Sequence, residues 1–347
     1  MYIVIAIIAF GILIAIHELG HFIAAKSCGV KVNEFSIGMG PAIIKKQRGE
    51  TLYAWRILPI GGYCAMEGED EESEDERAFT SQNRFKKFII LFAGAFMNFV
   101  LGFIIIVLIF SASTAFVSNH VVSTAPGFPE GGIEAGDEIR SIDGMRIYYS
   151  QDFSTAMARA GEYVDMVVIR NGEKVKLDHY RLVPAEYTEN GETQVRYGLT
   201  FNAIKATPIE KLKYSCYMSY DFVRLTWMGL SDLITGHAGI KDMSGPVGIV
   251  TMMNDVGKSS ESVKAGLINV FYFCALIAIN LAVMNLLPIP ALDGGRIFFL
   301  VVTFIIEKIT RRKLDPKYEG YVHTAGMVLL LGLMAVILVS DVVKIIV

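Results

Sequence analysis

Features that mark several other classes of protein are scarce in this chain of 347 residues. Only 19% of the residues are charged, and 32 Lys and Arg against 35 Asp and Glu leave a formal net charge of −3. This balance gives no sign of a basic surface, so we expect no nucleic-acid partner. The four cysteines have no C-x-x-C spacing, which argues against a zinc ribbon or a disulfide framework; they are Cys28, Cys64, Cys216 and Cys274.

Basic residues are also missing from the N-terminus. No Lys or Arg precedes Lys26, whereas a cleavable signal peptide begins with a positively charged region. We therefore expect the first apolar segment to be retained as a membrane-spanning helix.

Apolar residues, by contrast, are abundant. They make up 53% of the chain, and the mean hydropathy of +0.45 is too high for a soluble domain of this size. Four segments approach or exceed the roughly 20 residues that cross a bilayer, at about 2–25, 88–116, 265–287 and 324–347. The sequence predicts a polytopic α-helical membrane protein with both termini on the same side.

The positive charges indicate which side that is. The connection between the first two spans contains Lys26, Lys31, Lys45, Lys46, Arg48, Arg56, Arg77, Arg84, Lys86 and Lys87. The connection between the last two contains Arg296, Lys308, Arg311, Arg312, Lys313 and Lys317. By the positive-inside rule both connections face the cytoplasm, so the region 118–264 and both termini are predicted to lie outside.

The first span contains the motif His17-Glu18-Leu19-Gly20-His21. Ionisable residues are costly in a bilayer and are usually functional there. On a helix, His17 and His21 share a face and can bind one zinc ion, with Glu18 beside them to act on water. A coincidental histidine pair on a wet helix end is the alternative. Since catalytic zinc has three protein ligands and one open position, the chain must supply a third ligand elsewhere.

The end of the third span offers a candidate. In Asn285-Leu-Leu-Pro-Ile-Pro-Ala-Leu-Asp293-Gly-Gly, two prolines end the helix and a carboxylate follows at an apolar boundary. Asp293 is the candidate third ligand, or alternatively the cap of a short apolar helix at 297–306.

An extended pattern occupies 35–63, with a turn at 47–50. It predicts a β-hairpin near the membrane, which would line the site and offer a strand edge; a plain cytoplasmic hairpin is the alternative. The acidic run that follows at 67–76 is predicted to be a solvated linker without a catalytic role.

The central region contains Gly136-Asp-Glu-Ile-Arg-Ser-Ile-Asp-Gly144, then a helix pattern at 151–160 and strand patterns at 166–169 and 175–177. This core resembles a PDZ domain of the bacterial protease-associated kind, and such domains bind extended peptides at a sheet edge. An unrelated β-rich domain is the alternative. The glycine-rich loop before Ile133 looks short, so we expect an atypical peptide groove. Further along, 187–200 predicts a hairpin and 208–233 an amphipathic helix.

Together the motifs resemble those of the site-2 protease family of intramembrane zinc metalloproteases. The resemblance rests on His17, Glu18 and His21, on Gly94-x-x-x-Asn98 in the second span, and on the motif from Asn285 to Gly294. Phe35-Ser-x-Gly-x-Gly-Pro41, Gly61-Gly-Tyr63, the acidic run with Arg77-Ala-Phe79 and the single PDZ domain are similar to bacterial members that cleave membrane-anchored regulators, the regulator of sigma-E protease type.

This resemblance implies roles for individual residues. It implies Zn²⁺ held by His17, His21 and Asp293, with Glu18 as the general base. Asn285 is associated with substrate handling, and Asn98 more weakly. An interhelical hydrogen bond is the alternative role of either asparagine, and close helix packing is that of Gly94.

The fold implied has four parts. Residues 1–117 form a membrane part with two transmembrane helices, the metal motif and a membrane-associated β-hairpin. An extracytoplasmic PDZ domain at 118–182 and an extracytoplasmic linker with an amphipathic helix at 183–264 follow. Residues 265–347 form a membrane part with two transmembrane helices and the third ligand. The expected location is the bacterial cytoplasmic (inner) membrane, with the active site toward the cytoplasm.

The activity implied is hydrolysis of peptide bonds in or near transmembrane segments. Its expected substrates are single-pass proteins already cut by another protease, such as anti-sigma factors or remnant signal peptides. A membrane scaffold would not need Glu18, and a lipid hydrolase has little use for a peptide-binding domain. A zinc transporter needs a path of ligands, which His120, His179, His237 and His323 do not form.

The predicted orientation can be checked with reporter fusions. We expect a reporter that is active only outside the cytoplasm to be active when fused within 118–264, and inactive when fused within 67–76. The opposite pattern would contradict the orientation.

Overall fold

The computed structural model describes residues 1–69, 73–125, 128, 131–189, 192–239, 243–311 and 317–346. The chain divides into two compact units, one made of Met1–Ile109 with Phe222–Val347 and the other of Phe110–Asp221. Parts of several predicted features lie outside the described residues: 70–72 of the acidic run, 126–127 and 129–130 of the glycine-rich loop, 190–191 of the second hairpin, 240–242 of the linker, Arg312 and Lys313 of the last connection, and 347 at the end of the last span.

In the described residues, eight helices and ten strands alternate along the chain. The helices are α1 Tyr2–Ser27, α2 Arg84–Ser111, α3 Ser150–Met157, α4 Pro208–Thr235, α5 Pro246–Lys258, α6 Val263–Asn285, α7 Asp293–Thr310 and α8 Lys317–Ile346. The strands are β1 Val32–Arg48, β2 Thr51–Met66, β3 Ala115–Thr124, β4 Glu138–Ile142, β5 Met145–Arg146, β6 Tyr163–Arg170, β7 Glu173–Arg181, β8 Ala185–Glu189, β9 Glu192–Arg196 and β10 Leu199–Lys205.

Four helices of the described chain are long and apolar enough to cross a membrane. They are α1, α2, α6 and the Gly320–Lys344 part of α8. These are the four spans that the hydropathy predicts, which confirms an integral membrane protein. The spans differ from prediction by a few residues at their ends, where composition is a weak guide to helix boundaries.

The first span packs against different neighbours along its length. Near its start, Tyr2 and Leu13 share a buried cluster with Met253 of α5 and Val270 of α6. Near its end, Ala25 is buried with residues of the hairpin and of α2, namely Val32, Phe35, Cys64, Ile90 and Leu91. The half of α1 that carries the histidines is therefore enclosed by the hairpin and α2.

The predicted hairpin is present. β1 and β2 pair in antiparallel fashion around a turn at Gly49 and Glu50, where Gly49 has φ +61°. The first half of β1 lies between two parts of β2, so that Phe35 is opposite both Cys64 and Tyr53. Several large apolar side chains of the hairpin are exposed: Ile43, Ile44, Trp55, Ile57 and Leu58.

The acidic run is more ordered than the predicted solvated linker. Glu67 accepts hydrogen bonds from Asn33, Ser73 and Lys31, which together lower its pKa to about 2. Lys31 also pairs with Asp75 at 3.3 Å, and Glu69 pairs with Arg296 of α7. Acidic composition predicts solvation, but it cannot reveal basic partners that are distant in the sequence.

The unit at Phe110–Asp221 is built on a sheet with the strand order β10-β3-β4-β6-β7, and β5 pairs with β4. Alternate residues of β6, Val164, Met166 and Val168, are buried on one face of this sheet. The Gly-Asp motif has a structural role there, because the buried Asp137 carboxylate accepts two 2.8 Å hydrogen bonds from the Arg170 guanidinium.

The strands and helices within the predicted linker at 183–264 belong to the compact units, which differs from the predicted boundaries. β10 pairs with β3, and its Phe201 packs on Phe153 of α3, so the central unit extends well beyond residue 182. α5 belongs to the other unit, with Met253 fully buried against α1 and α6. Sequence spacing alone cannot show these pairings, because both join segments that are far apart in the chain. The predicted hairpin near 187–200 is formed by β8 and β9.

Candidate metal centre

His17 and His21 lie on one face of α1, one helical turn apart, as their spacing predicts. Their rings are perpendicular, with centroids 4.7 Å apart, and the two Nε2 atoms are separated by 3.2 Å. Both side chains are largely buried, with exposed fractions of 14% and 9%. The first span thus places two imidazole nitrogens side by side in a largely buried position.

Asp293 meets these nitrogens from the far end of the sequence. It is the first residue of α7, and its Oδ2 lies 3.3 Å from Nε2 of each histidine. The alternative role as a helix cap is not the one observed, since the N-cap position is Leu292 and no side chain caps this helix. The three predicted ligands are therefore brought together.

The spacing of the three atoms fits zinc. Ligand atoms about 2.0–2.1 Å from a tetrahedral zinc ion lie about 3.3 Å from one another, which matches the observed separations. Asp293 Oδ2 is buried and makes no hydrogen bond within the described chain, although both nitrogens are close. Two imidazoles and one carboxylate form a donor set that zinc accepts, with one position left for water.

The second nitrogen of each histidine has a neighbour that can orient the ring. Nδ1 of His21 lies 2.8 Å from the carbonyl oxygen of Ile90 and donates to it, which leaves Nε2 unprotonated for a metal. Nδ1 of His17 lies 3.5 Å from the side-chain amide nitrogen of Asn285. When Nε2 binds a metal, Nδ1 carries the proton, and the amide oxygen of Asn285 is then the acceptor that it requires. Asn285, predicted to handle substrate, thus lies next to a metal ligand.

Two glycines allow the helices to come this close. A Cβ atom at Gly94 of α2 would lie 2.3 Å from His21 Nε2 and 2.8 Å from His17 Cε1. A Cβ atom at Gly20 of α1 would lie 2.4 Å from the carbonyl oxygen of Ala93. Gly94 therefore has the alternative role of close packing. The space left by its missing side chain is occupied by the two imidazole rings.

Glu18 faces the hairpin. A Cβ atom at Gly62 of β2 would lie 3.5 Å from Glu18 Cγ, so the strand passes directly beside the glutamate. The Glu18 carboxylate is also near enough to His17, His21 and Asp293 to interact electrostatically with all three. Burial and, to a smaller extent, the charge of Glu18 raise the pKa of the Cys64 thiol on the neighbouring strand.

Asn98 lies one turn beyond Gly94 on α2. Its side chain is 1% exposed, and its Oδ1 has no hydrogen-bond partner in the described residues. An unsatisfied buried acceptor is costly, so the Oδ1 atom calls for a partner that the described residues do not supply. No contact between Asn98 and the three candidate ligands is seen among the described residues.

Sequence reasoning missed several contributors to this centre. The Ile90 carbonyl could not be recognised, because any residue supplies a carbonyl group. Gly20 carried a weak signal, since a glycine inside a helix costs about 1 kcal/mol relative to alanine and calls for a packing reason. His323 was expected to be an ordinary polar residue, yet its Nδ1 accepts a hydrogen bond from the backbone of Ala291, two residues before Asp293.

Comparison with known proteins finds zinc metalloproteases along nearly the whole chain. The model of peptidase family M50 matches residues 5–333. A candidate zinc metalloprotease of Clostridium perfringens is 39% identical over 348 residues, covering 99% of each chain. The regulator of sigma-W protease RasP of Bacillus subtilis is 28% identical over 422 residues, covering 97% of each chain. The zinc metalloprotease RasP of Geobacillus kaustophilus is 28% identical with the same coverage.

Replacing Gly94 with alanine should disrupt the metal site. The His21 ring is held by Ile90, so it cannot retreat from a Cβ atom at 2.3 Å without losing that bond. We expect Gly94→Ala in the purified full chain to contain much less zinc than the unmodified protein, as measured by elemental analysis.

Gly102→Ala is the matched control on the same helix. A Cβ atom there meets Ile279 and Ala275 of α6, not the histidines, so zinc content should be retained. Equal zinc in the Gly94→Ala variant and the unmodified protein would contradict the assigned role of Gly94.

Proposed function

The chain belongs to peptidase family M50, the site-2 protease family of zinc metalloproteases, and on that premise we propose that it cleaves peptide bonds in or near transmembrane segments of membrane-anchored proteins. The observation that carries the proposal is the convergence of His17, His21 and Asp293 beside an apolar span. Because the metal site lies within a membrane-spanning helix, the peptide bonds that can reach it most directly are those of transmembrane segments.

The proposed ligands are His17, His21 and Asp293, and the proposed general base is Glu18. Zinc bound by them supplies Lewis-acid activation of water and of the scissile carbonyl. Glu18 accepts the proton of the attacking water and delivers it to the leaving amine. Asn285 orients His17, and the buried Oδ1 of Asn98, which has no hydrogen-bond partner in the described residues, accepts a hydrogen bond from the substrate backbone.

Substrate capture requires an extended peptide. A transmembrane helix hides its peptide bonds in its own hydrogen bonds, so it must unwind locally before hydrolysis. We assign capture to the β-hairpin, which runs past Glu18 at Gly62 and can pair with an extended strand. Its exposed Ile43, Ile44, Trp55 and Leu58 support association with the bilayer.

The central unit is proposed to be an extracytoplasmic PDZ domain. Its sheet ends in β10, and α3 packs over that strand through Phe153 and Phe201, an arrangement suited to adding one more peptide strand. The cytoplasm-facing site and the outward termini follow from the positive charges of the connections. Membrane-anchored regulators such as anti-sigma factors, and remnant signal peptides, are the proposed substrates.

The other classes of function explain fewer of these features. A scaffold has no need of an aligned metal-ligand triad or of Glu18. A transporter requires further ligands along a path, and the described residues contain one cluster of three candidate metal ligands. A lipid hydrolase leaves the strand edge beside Glu18 and the central sheet unexplained.

The catalytic role of Glu18 can be tested in cells. We expect Glu18→Gln to retain zinc but to lower cleavage by at least about a hundredfold, because general-base catalysis supplies about 10²–10⁴ in rate. Comparative membrane proteomics should then detect transmembrane fragments that accumulate only with the variant. If no fragment accumulates, although the variant is expressed at the normal level, the protease assignment is wrong.

The PDZ domain is proposed to act as a size filter that admits substrates only after their outer part has been removed. The purified enzyme should therefore cleave a trimmed single-pass substrate faster than the same substrate with a folded outer domain. Deletion of the central domain should reduce that preference. Equal rates on both substrates with the intact enzyme would rule out the filter.

A further inference from the structure

The connection between α6 and α7, residues 286–292, has an irregular backbone. Each of its N–H groups has an acceptor within the structure. Leu286 and Leu287 donate to Val283 and Met284 of the preceding turn. Within the connection Ile289 donates to Leu287, and Leu292 donates to Ile289. Pro288 and Pro290 have no N–H group. One donor remains, the N–H of Ala291, and the backbone of the connection does not supply its acceptor.

That acceptor is a side chain of α8. The N–H of Ala291 donates to Nδ1 of His323 at 3.1 Å. Because Nδ1 accepts, the neutral ring carries its proton on Nε2. The His323 ring also contacts Phe299 of α7, at a centroid distance of 5.6 Å.

Ala291 needs this support more than an ordinary loop residue does. Its φ of +76° lies in the left-handed region, which residues other than glycine seldom adopt. Such a conformation persists where the surroundings fix it. Asp293 follows two residues later, so a relaxed Ala291 would change the direction from which its carboxylate enters the site.

The packing of α8 supports the same contact. A Cβ atom at Gly326 would lie 2.3 Å from Pro290 Cβ, so the glycine lets Pro290 rest directly on the helix, one turn from His323. His323 lies in the first turn of the fourth candidate span, which begins at Gly320.

We propose that His323 is a positioning residue of the metal site: it fixes the left-handed Ala291 and so places the Asp293 carboxylate against His17 and His21. This inference rests on the proposed role of Asp293 as a zinc ligand. It assigns α8, which supplies no candidate ligand within its described residues, a share in metal binding.

The test compares zinc affinities of full-length variants in detergent, measured by competition with a chelator. His323→Leu removes the acceptor, and we expect it to weaken zinc binding by about tenfold or more, as is typical when a group that orients a ligand is lost. His323→Asn keeps an acceptor near the position of Nδ1 and should recover most of the affinity. Thr324→Val alters the neighbouring position, whose hydroxyl donates to the Gly320 carbonyl of the same helix, and should bind zinc like the unmodified chain.

Asp293→Ala separates the inference from the function on which it rests. In that background, His323→Leu should cause no further loss, because the residue that it positions is gone. If Asp293→Ala binds zinc normally, the proposed metal site itself is wrong. If Asp293→Ala loses zinc but His323→Leu does not, only the inference fails. It also fails if His323→Asn is no better than His323→Leu, if Thr324→Val loses as much zinc, or if His323→Leu weakens binding equally without Asp293.

Discussion

The structure depends on one constraint: two imidazoles and a carboxylate must meet inside apolar surroundings without leaving polar atoms unsatisfied. A buried polar group without a partner costs about 1–3 kcal/mol, and more if it is charged. The hydrogen bond from His21 to the Ile90 carbonyl addresses this cost directly. The glycines at positions 20 and 94 address it indirectly, because they allow α2 to approach until its backbone carbonyl is within reach.

The sequence predicts those parts of the molecule whose determinants are local. The helical spacing of His17 and His21, the apolar spans and the turn at Gly49 are contained in short segments, and each of these features is found. The metal cluster could be anticipated through its residue types, because Asp293 follows a proline-broken helix at an apolar boundary. Contacts between distant segments could not be anticipated in this way. Nothing near His323 identifies Ala291 as its partner, and nothing near Glu69 identifies Arg296.

The same limit explains the differences in the central region. The sequence of β10 has no feature that distinguishes a strand of the main sheet from a strand of a separate hairpin. Its place in the main sheet is supported by the packing of Phe201 on Phe153, which is distant in the sequence. The acidic run is a similar case, because a run of carboxylates is normally solvated. Here Lys31, itself next to the start of β1, pairs with both Glu67 and Asp75.

The helix that carries Asp293 is held in an unusual way. All residues of α7 are described, and the buried ones are Gly294 and Gly295. A Cβ atom at either glycine would lie within 2.4 Å of backbone atoms of the α6–α7 connection, so the first turn of α7 rests directly on that backbone. Beyond the first turn, ion pairs join Arg296 to Glu69 and Glu307 to Arg84, and the partly buried Ile297 and Phe299 make apolar contacts. Surface ion pairs contribute little stability. The position of the third ligand therefore depends mainly on the shape of the connection, in which Ala291 is the one strained residue other than glycine.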